Sequence, residues 1–150
     1  MSPKEIISLL PYTHPFLFVD SLSEINENGA KGRHTFHKED FFYGGHFKDN
    51  PVTPGVILIE TMAQIGLVCL GIYLLKDKIS IKEFPKIALV SSQTDFFLPV
   101  YPEETVTVIS QKIYFRFGKL KCSAEMKNEK GVLVCKGILA GMITNKLPDE

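Results

Sequence analysis

The chain has 150 residues, 45% of them apolar, and its 17 Lys and Arg residues balance 17 Asp and Glu residues. That length can bury a core without disulfide or metal staples, the composition argues against disorder, and zero net charge leaves no footprint for nucleic acid or an anionic membrane. Three cysteines, Cys69, Cys122 and Cys135, cannot all pair and lack metal-ligand spacing, so a reducing cytoplasm is the economical expectation.

The N-terminal stretch MSPKEIISLLPYTHPF has no long apolar run and no small-residue cleavage site, so no secretory signal is expected. Pro3 to Leu10 predicts a short helix capped by Ser2. Pro11 and Pro15 bracket a turn, Phe16 to Ile25 reads as a strand, and Asn26-Glu27-Asn28-Gly29 is a turn that returns Ala30 to Phe36 antiparallel. Asp40 to Tyr43 suggests a single helical turn. Lys76 to Phe84 is charged and loop-like, and Pro85 introduces a strand running to Phe97. Strands follow over Thr105 to Phe115, Leu120 to Lys127 and Val132 to Thr144, separated by turns at Gly118-Lys119 and Asn128 to Gly131. The tail LPDE should fray. With no repeat or linker, residues 1–150 read as one domain.

Between the hairpin and the later strands lies GGHFKDNPVTPGVILIETMAQIG, Gly44 to Gly66. It opens as a polar loop carrying His46 and closes inside a long apolar helix carrying Glu60. Thr53 is the expected N-cap and Pro54 the expected first helical residue. Val56 to Leu75 is apolar enough to resemble a membrane span, but Glu60 and Gln64 lie inside the run and no basic flank precedes it. A helix apolar on nearly all faces is instead expected to be wrapped by protein, which makes this an α+β chain whose curved antiparallel sheet surrounds one central helix. One sheet cannot cover every side of that helix, so a second copy is expected.

The stretches LLPYTHPFLFVD and GHFKDNPVTPGVILIETMAQ resemble the 3-hydroxyacyl-acyl-carrier-protein dehydratases of the FabZ type, which have the hotdog fold. The likeness in layout runs over nearly the whole chain and is most specific in the second stretch, where a glutamate followed by xxAQ stands fourteen residues beyond the GHF histidine. The resemblance implies dehydration of (3R)-3-hydroxyacyl thioesters on acyl carrier protein to trans-2-enoyl thioesters, without metal or organic cofactor. It places the catalytic pair on His46 and Glu60, meeting across a homodimer interface, in assemblies that are often trimers of dimers. Two departures stand out: Lys48 follows GHF where the family usually has proline, and Tyr12-Thr13-His14 replaces histidine-arginine-tyrosine. Neither removes a catalytic group.

The residues suit that chemistry independently. Elimination needs a base for the C2 proton, and a histidine titrates near neutrality. It needs an acid for the departing hydroxyl, and a carboxyl desolvated among Ile57, Ile59 and Ala63 holds its proton. Gln64, one turn on, can orient Glu60 through its amide. If the Thr53 hydroxyl caps the Val56 N–H, the Gly55 N–H stays free at the positive end of the helix to bind a thioester oxygen, with Val56 beside it.

Other candidates carry less. His34 and His37 read as solvent-facing rather than as metal ligands, and Phe41, Phe42, Phe96 and Phe97 suit either an acyl tunnel or plain core. Lys48, Arg116, Lys119 and Lys121 suit either a carrier-docking face or ordinary solvated surface. Two alternatives to the dehydratase stand beside it: an acyl thioesterase on the same fold, and a non-catalytic acyl-binding subunit, which should have lost one of the pair.

Overall fold

Alternating β-branched residues make strands of the segments flanking the long apolar run, and the computed structural model, which describes residues 1–80, 84 and 86–144, joins them in one six-stranded sheet. The strands are β1 (Ser21–Asn26), β2 (Gly29–Thr35), β3 (Ile87–Phe96), β4 (Thr105–Arg116), β5 (Lys119–Lys127) and β6 (Leu133–Ile143). All pairings are antiparallel, in the order β1-β2-β4-β5-β6-β3. β2, β4 and β5 alternate between buried and outward residues, as a sheet with one covered face must. β3, at the sheet edge, is exposed along nearly its whole length.

Helix α1 (Pro3–Ser8) starts as expected, with the Ser2 hydroxyl accepting from the Glu5 N–H at 3.2 Å. Helix α2 (Gly55–Leu75) packs against the covered face of the sheet, its middle stretch touching β2, β4, β5 and β6. Met62, Ile65, Leu67 and Leu70 are buried in one core with Val106, Val108, Leu120, Met126 and Leu139. α2 is long and apolar enough to cross a membrane, yet 78% of its most apolar window is buried inside the protein. A curved sheet around one helix is the hotdog architecture implied by the resemblance.

α2 is not uniform. Ala63–Val68 is π-helical. The Gly66 carbonyl there accepts from the Ser110 hydroxyl at 2.8 Å, and that hydroxyl accepts from the Ala30 N–H at 3.1 Å. One side chain thus ties α2, β4 and β2 together. A Cβ on Gly66 would lie 2.9 Å from the Ser110 Cβ, so glycine permits this approach.

Several expectations need correction. The strand predicted from Phe16 begins only at Ser21, because the Phe16 and Phe18 backbone groups bond to the Gln64 side chain instead of a neighbouring strand. Asp40 to Tyr43 forms turns and no helix; the Tyr43 N–H donates to the Asp40 carbonyl at 3.2 Å, and turns continue through Asp49. The β4–β5 turn is Phe117-Gly118, both at positive φ (52° and 72°), and Lys119 already belongs to β5. The turn at Asn128 holds, with the Asn128 Oδ1 accepting from the Lys130 and Val132 N–H groups. Pro85, most of the loop from Ile81 and the LPDE tail lie outside the described residues.

Candidate functional site

The His46 loop is closed on itself. His46 donates its backbone N–H to the Phe42 carbonyl, and Val52 returns its N–H to the His46 carbonyl at 2.8 Å. The His46 Nδ1 lies 2.8 Å from the Val52 carbonyl. A carbonyl only accepts, so Nδ1 carries the proton and Nε2 keeps a free lone pair. The neighbouring Phe47 ring stacks on the imidazole at 3.8 Å. The histidine is thereby held in the tautomer that can take a proton.

Thr53 does not cap α2. Its hydroxyl is buried and bonds the Tyr43 hydroxyl at 2.6 Å, while its N–H donates to the Val100 carbonyl. Tyr43 therefore competes successfully for the predicted cap, and burial pushes its phenol up to about 12 despite that hydrogen bond. Pro54 occupies the N-cap position, with no side-chain cap, and the helix begins one residue later than expected, at Gly55. The first intrahelical acceptor, the Pro54 carbonyl, takes the N–H groups of Ile57 and Leu58. Among the described residues the N–H groups of Gly55 and Val56 find no acceptor, two donors rather than the one expected.

Gly55 opens onto a cavity of about 320 Å³ lined also by Thr53, Leu58, Phe96, Phe97, Leu98 and Pro99. The Phe96 ring lies over the side of Gly55 that a methyl would occupy, 3.1 Å from an ideal Cβ. Of the four phenylalanines singled out in the sequence, Phe96 and Phe97 line this cavity. Phe41 is exposed, and Phe42 is core, packed with Phe18 and Phe36.

Glu60 is half-buried on α2. Burial pushes its carboxyl above the usual range, partly offset by a hydrogen bond from Gln64. The Gln64 Nε2 donates to the Glu60 Oε1 at 3.2 Å and to the Phe16 carbonyl at 3.1 Å, while its Oε1 accepts from the Phe18 N–H at 2.8 Å. Gln64 thus hydrogen-bonds the Glu60 carboxyl and the strap of residues 16–20 with one amide, and the sequence reading did not connect that strap to the site. Val56 is 71% exposed at the start of α2. Among the described residues, no hydrogen bond or ion pair links His46 to Glu60 within one chain.

His34 is a second correction. Far from facing solvent, it is buried between the Phe18 and Phe36 rings, its Nδ1 3.2 Å from the Asp20 carboxylate. The described residues contain no group of three or more His, Cys, Asp or Glu placed to hold a metal. All three cysteines are unpaired and buried, and burial pushes the Cys122 and Cys135 thiols up to about 12.

A family model described as a FabA-like domain matches residues 10–134. The 3-hydroxyacyl-[acyl-carrier-protein] dehydratase FabZ of Caldicellulosiruptor bescii is 34% identical over 138 residues, 90% of this chain and 93% of that protein. The bifunctional enzyme LpxC/FabZ of Chlorobaculum tepidum is 32% identical over 94% of this chain, which spans only 29% of that longer protein. Among solved structures, the dehydratase heterocomplex ApeI:P from Xenorhabdus doucetiae superposes with a TM-score of 0.78 at 16% identity, over 97% of this chain and 93% of that one. A hypothetical thioesterase from Streptococcus pneumoniae, with coenzyme A, shares the fold at a TM-score of 0.61 and 11% identity, over 96% and 94% of the two chains. The match over residues 10–134 and the end-to-end likeness to FabZ dehydratases make this chain a member of the FabA-like family.

Proposed function

We propose that this chain removes water from (3R)-3-hydroxyacyl thioesters carried on acyl carrier protein, giving trans-2-enoyl thioesters, in fatty-acid or related acyl-chain synthesis, with residues 1–150 as one catalytic domain. The observation that carries this reading is a carboxyl that burial pushes above its usual range and an imidazole whose Nε2 is left unbonded by the Nδ1–Val52 contact, on either side in sequence of a helix start whose first N–H groups find no acceptor among the described residues. The thioester oxygen accepts from Gly55, with the Val56 N–H beside it, so that charge developing on that oxygen meets donors already in place. The His46 Nε2 takes the C2 proton. Glu60 gives its proton to the C3 hydroxyl, the C3–O bond breaks, water departs and the C2–C3 double bond forms. Proton return from His46 to Glu60 resets the pair. The chemistry calls on no metal or organic cofactor.

The working unit in this reading is a homodimer with His46 and Glu60 supplied by different chains, able to assemble further into a trimer of dimers. The exposed edge strand β3 and the outward Phe41, Phe47 and Val56 around the site support a second copy there. Acyl carrier protein is the substrate-bearing partner. Arg116 and Lys121 lie over the Tyr114 ring and form no ion pair among the described residues, which supports a basic face for it. Three unpaired cysteines suit a cytoplasmic location.

The test is a metal-free assay on a carrier-bound 3-hydroxyacyl substrate, following enoyl thioester by absorbance and mass. Dehydration should be seen, with kcat in His46→Ala and Glu60→Gln down by a factor on the order of a thousand or more. Release of free carrier thiol instead would make it a thioesterase; full activity in both variants would end this assignment of the pair.

A further inference from the structure

The strap between α1 and β1 is fastened at both ends. At one end, Phe18 is wedged edge-on against the His34 ring, 5.6 Å between centroids, and packs near Phe36 and Phe42. The Asp20 carboxylate accepts from the Thr35 N–H at 2.6 Å and bonds the His34 Nδ1, while the Asp20 N–H donates to the Arg33 carbonyl at 2.9 Å. At the other end, the Phe16 N–H donates to the Thr13 carbonyl at 2.8 Å, while the Phe16 carbonyl and the Phe18 N–H both meet the Gln64 side chain. The Phe18 N–H needs an oxygen and the Phe16 carbonyl needs an N–H, so both contacts demand the same orientation of the Gln64 amide. Only N–H is then left to face Glu60, so Oε1 accepts, and whenever the acid is protonated its proton sits on Oε2.

We infer that the Phe16–Asp20 strap, clasped by the Asp20–His34 pair, is a positioning element for the general acid: by locking the Gln64 amide it decides which Glu60 oxygen carries the proton and how readily it is given up. This rests on the reading of Glu60 as the acid. The groups facing Glu60 are few. Gln64 contributes from α2 itself and Tyr12 from the N-terminal segment, its phenol held protonated by burial and, secondarily, by Glu60. The partner's catalytic imidazole completes the set in the proposed dimer. The clasp has its own electrostatics. Burial opposes the Asp20 charge, but the hydrogen bonds from His34 and Thr35 and the nearby His37 outweigh it, and the carboxyl stays ionised below the usual range.

If the clasp opens, the amide is free to turn. Glu60 then loses its N–H donor, or gains a carbonyl that accepts from its O–H, and both changes favour the protonated acid. The experiment compares Asp20→Ala with Asp20→Asn, which keeps an oxygen for the Thr35 N–H, using Gln64→Leu as benchmark. Two readouts are followed: a carbon-13 NMR titration of the Glu60 carboxyl, and kcat against pH. Asp20→Ala should raise the Glu60 titration midpoint, move the high-pH limb of kcat upward and lower plateau kcat about ten- to a hundredfold through misplacement of the acid. Asp20→Asn should restore most of each, and Gln64→Leu should shift the midpoint in the same direction. An Asp20→Ala protein that melts lower but keeps the wild-type midpoint and plateau kcat would overturn the inference. The NMR titration reads independently of turnover, so an error in assigning Glu60 as the acid, visible as an active Glu60→Gln, is told apart from a strap that holds only the fold.

Discussion

One methyl group at residue 55 separates the two things asked of that position, folding and catalysis. An alanine Cβ would press on the outer atoms of the Phe96 ring at 3.1 to 3.6 Å, and that ring, 47% exposed, has room to swing aside. The fold should therefore tolerate Gly55→Ala, with a melting temperature within about 3 °C of wild type. In the proposed mechanism the same methyl stands where the thioester approaches the Gly55 N–H, and kcat/KM should fall about a hundredfold, the scale of losing one such donor. A melting point far lower than that, with activity lost in proportion to unfolding, would make Gly55 a packing residue alone. His46, Glu60 and Gly55 could be singled out in sequence because the proposed chemistry admits few residue types at those places. Thr53 was misread because its hydroxyl had two suitors, the helix start and Tyr43, and only the folded chain brings Tyr43 within 2.6 Å. His34 was misread partly for the same reason: Phe36, two residues on, shares its face of the strand, but the Phe18 ring that completes its burial comes from the distant strap and only the fold brings it there.

At the scale of elements, local patterning explains α1, the hairpin and the alternating strands, while the departures trace to partners far away in the chain. The π-helical stretch of α2 carries no sequence mark of its own; its Gly66 carbonyl is met by a hydroxyl 44 residues distant. Ser110→Ala removes that donor from Gly66 and the acceptor from the Ala30 N–H in a buried setting. The expected cost is about 2 kcal/mol, read by chemical denaturation, with a fall of about 5 °C in melting temperature. An unchanged denaturation midpoint would show that this hydroxyl does not hold the turn. Gln64 lies within the same π-helical stretch, so the turn that Ser110 braces also carries the amide facing Glu60. β3 shows the converse. Its residues lack the alternation of a half-covered strand, and its exposed profile marks a sheet edge that another chain can extend.

For the whole molecule, the decisive question is whether one chain contains a complete site. Large apolar side chains stand exposed on β3, at Phe96 to Leu98 beside the helix start, at Phe47 next to His46 and at Val56 next to Gly55. If two chains share each site, His46→Ala and Glu60→Gln are complementary defects. Each variant alone forms dimers in which every site lacks one member of the pair. Unfolded together and refolded in equal amounts, they give mixed dimers in half of the population. In each mixed dimer one site receives the intact histidine from one chain and the intact glutamate from the other, while its second site carries both lesions. Activity per chain should then rise from near zero to about a quarter of wild type, as random pairing of a two-fold dimer requires. A pair supplied by a single chain predicts no recovery at any mixing ratio, because no rearrangement of subunits can return the missing group. The same preparation, diluted until the dimer separates, should lose its regained turnover together with its dimeric mass in light scattering.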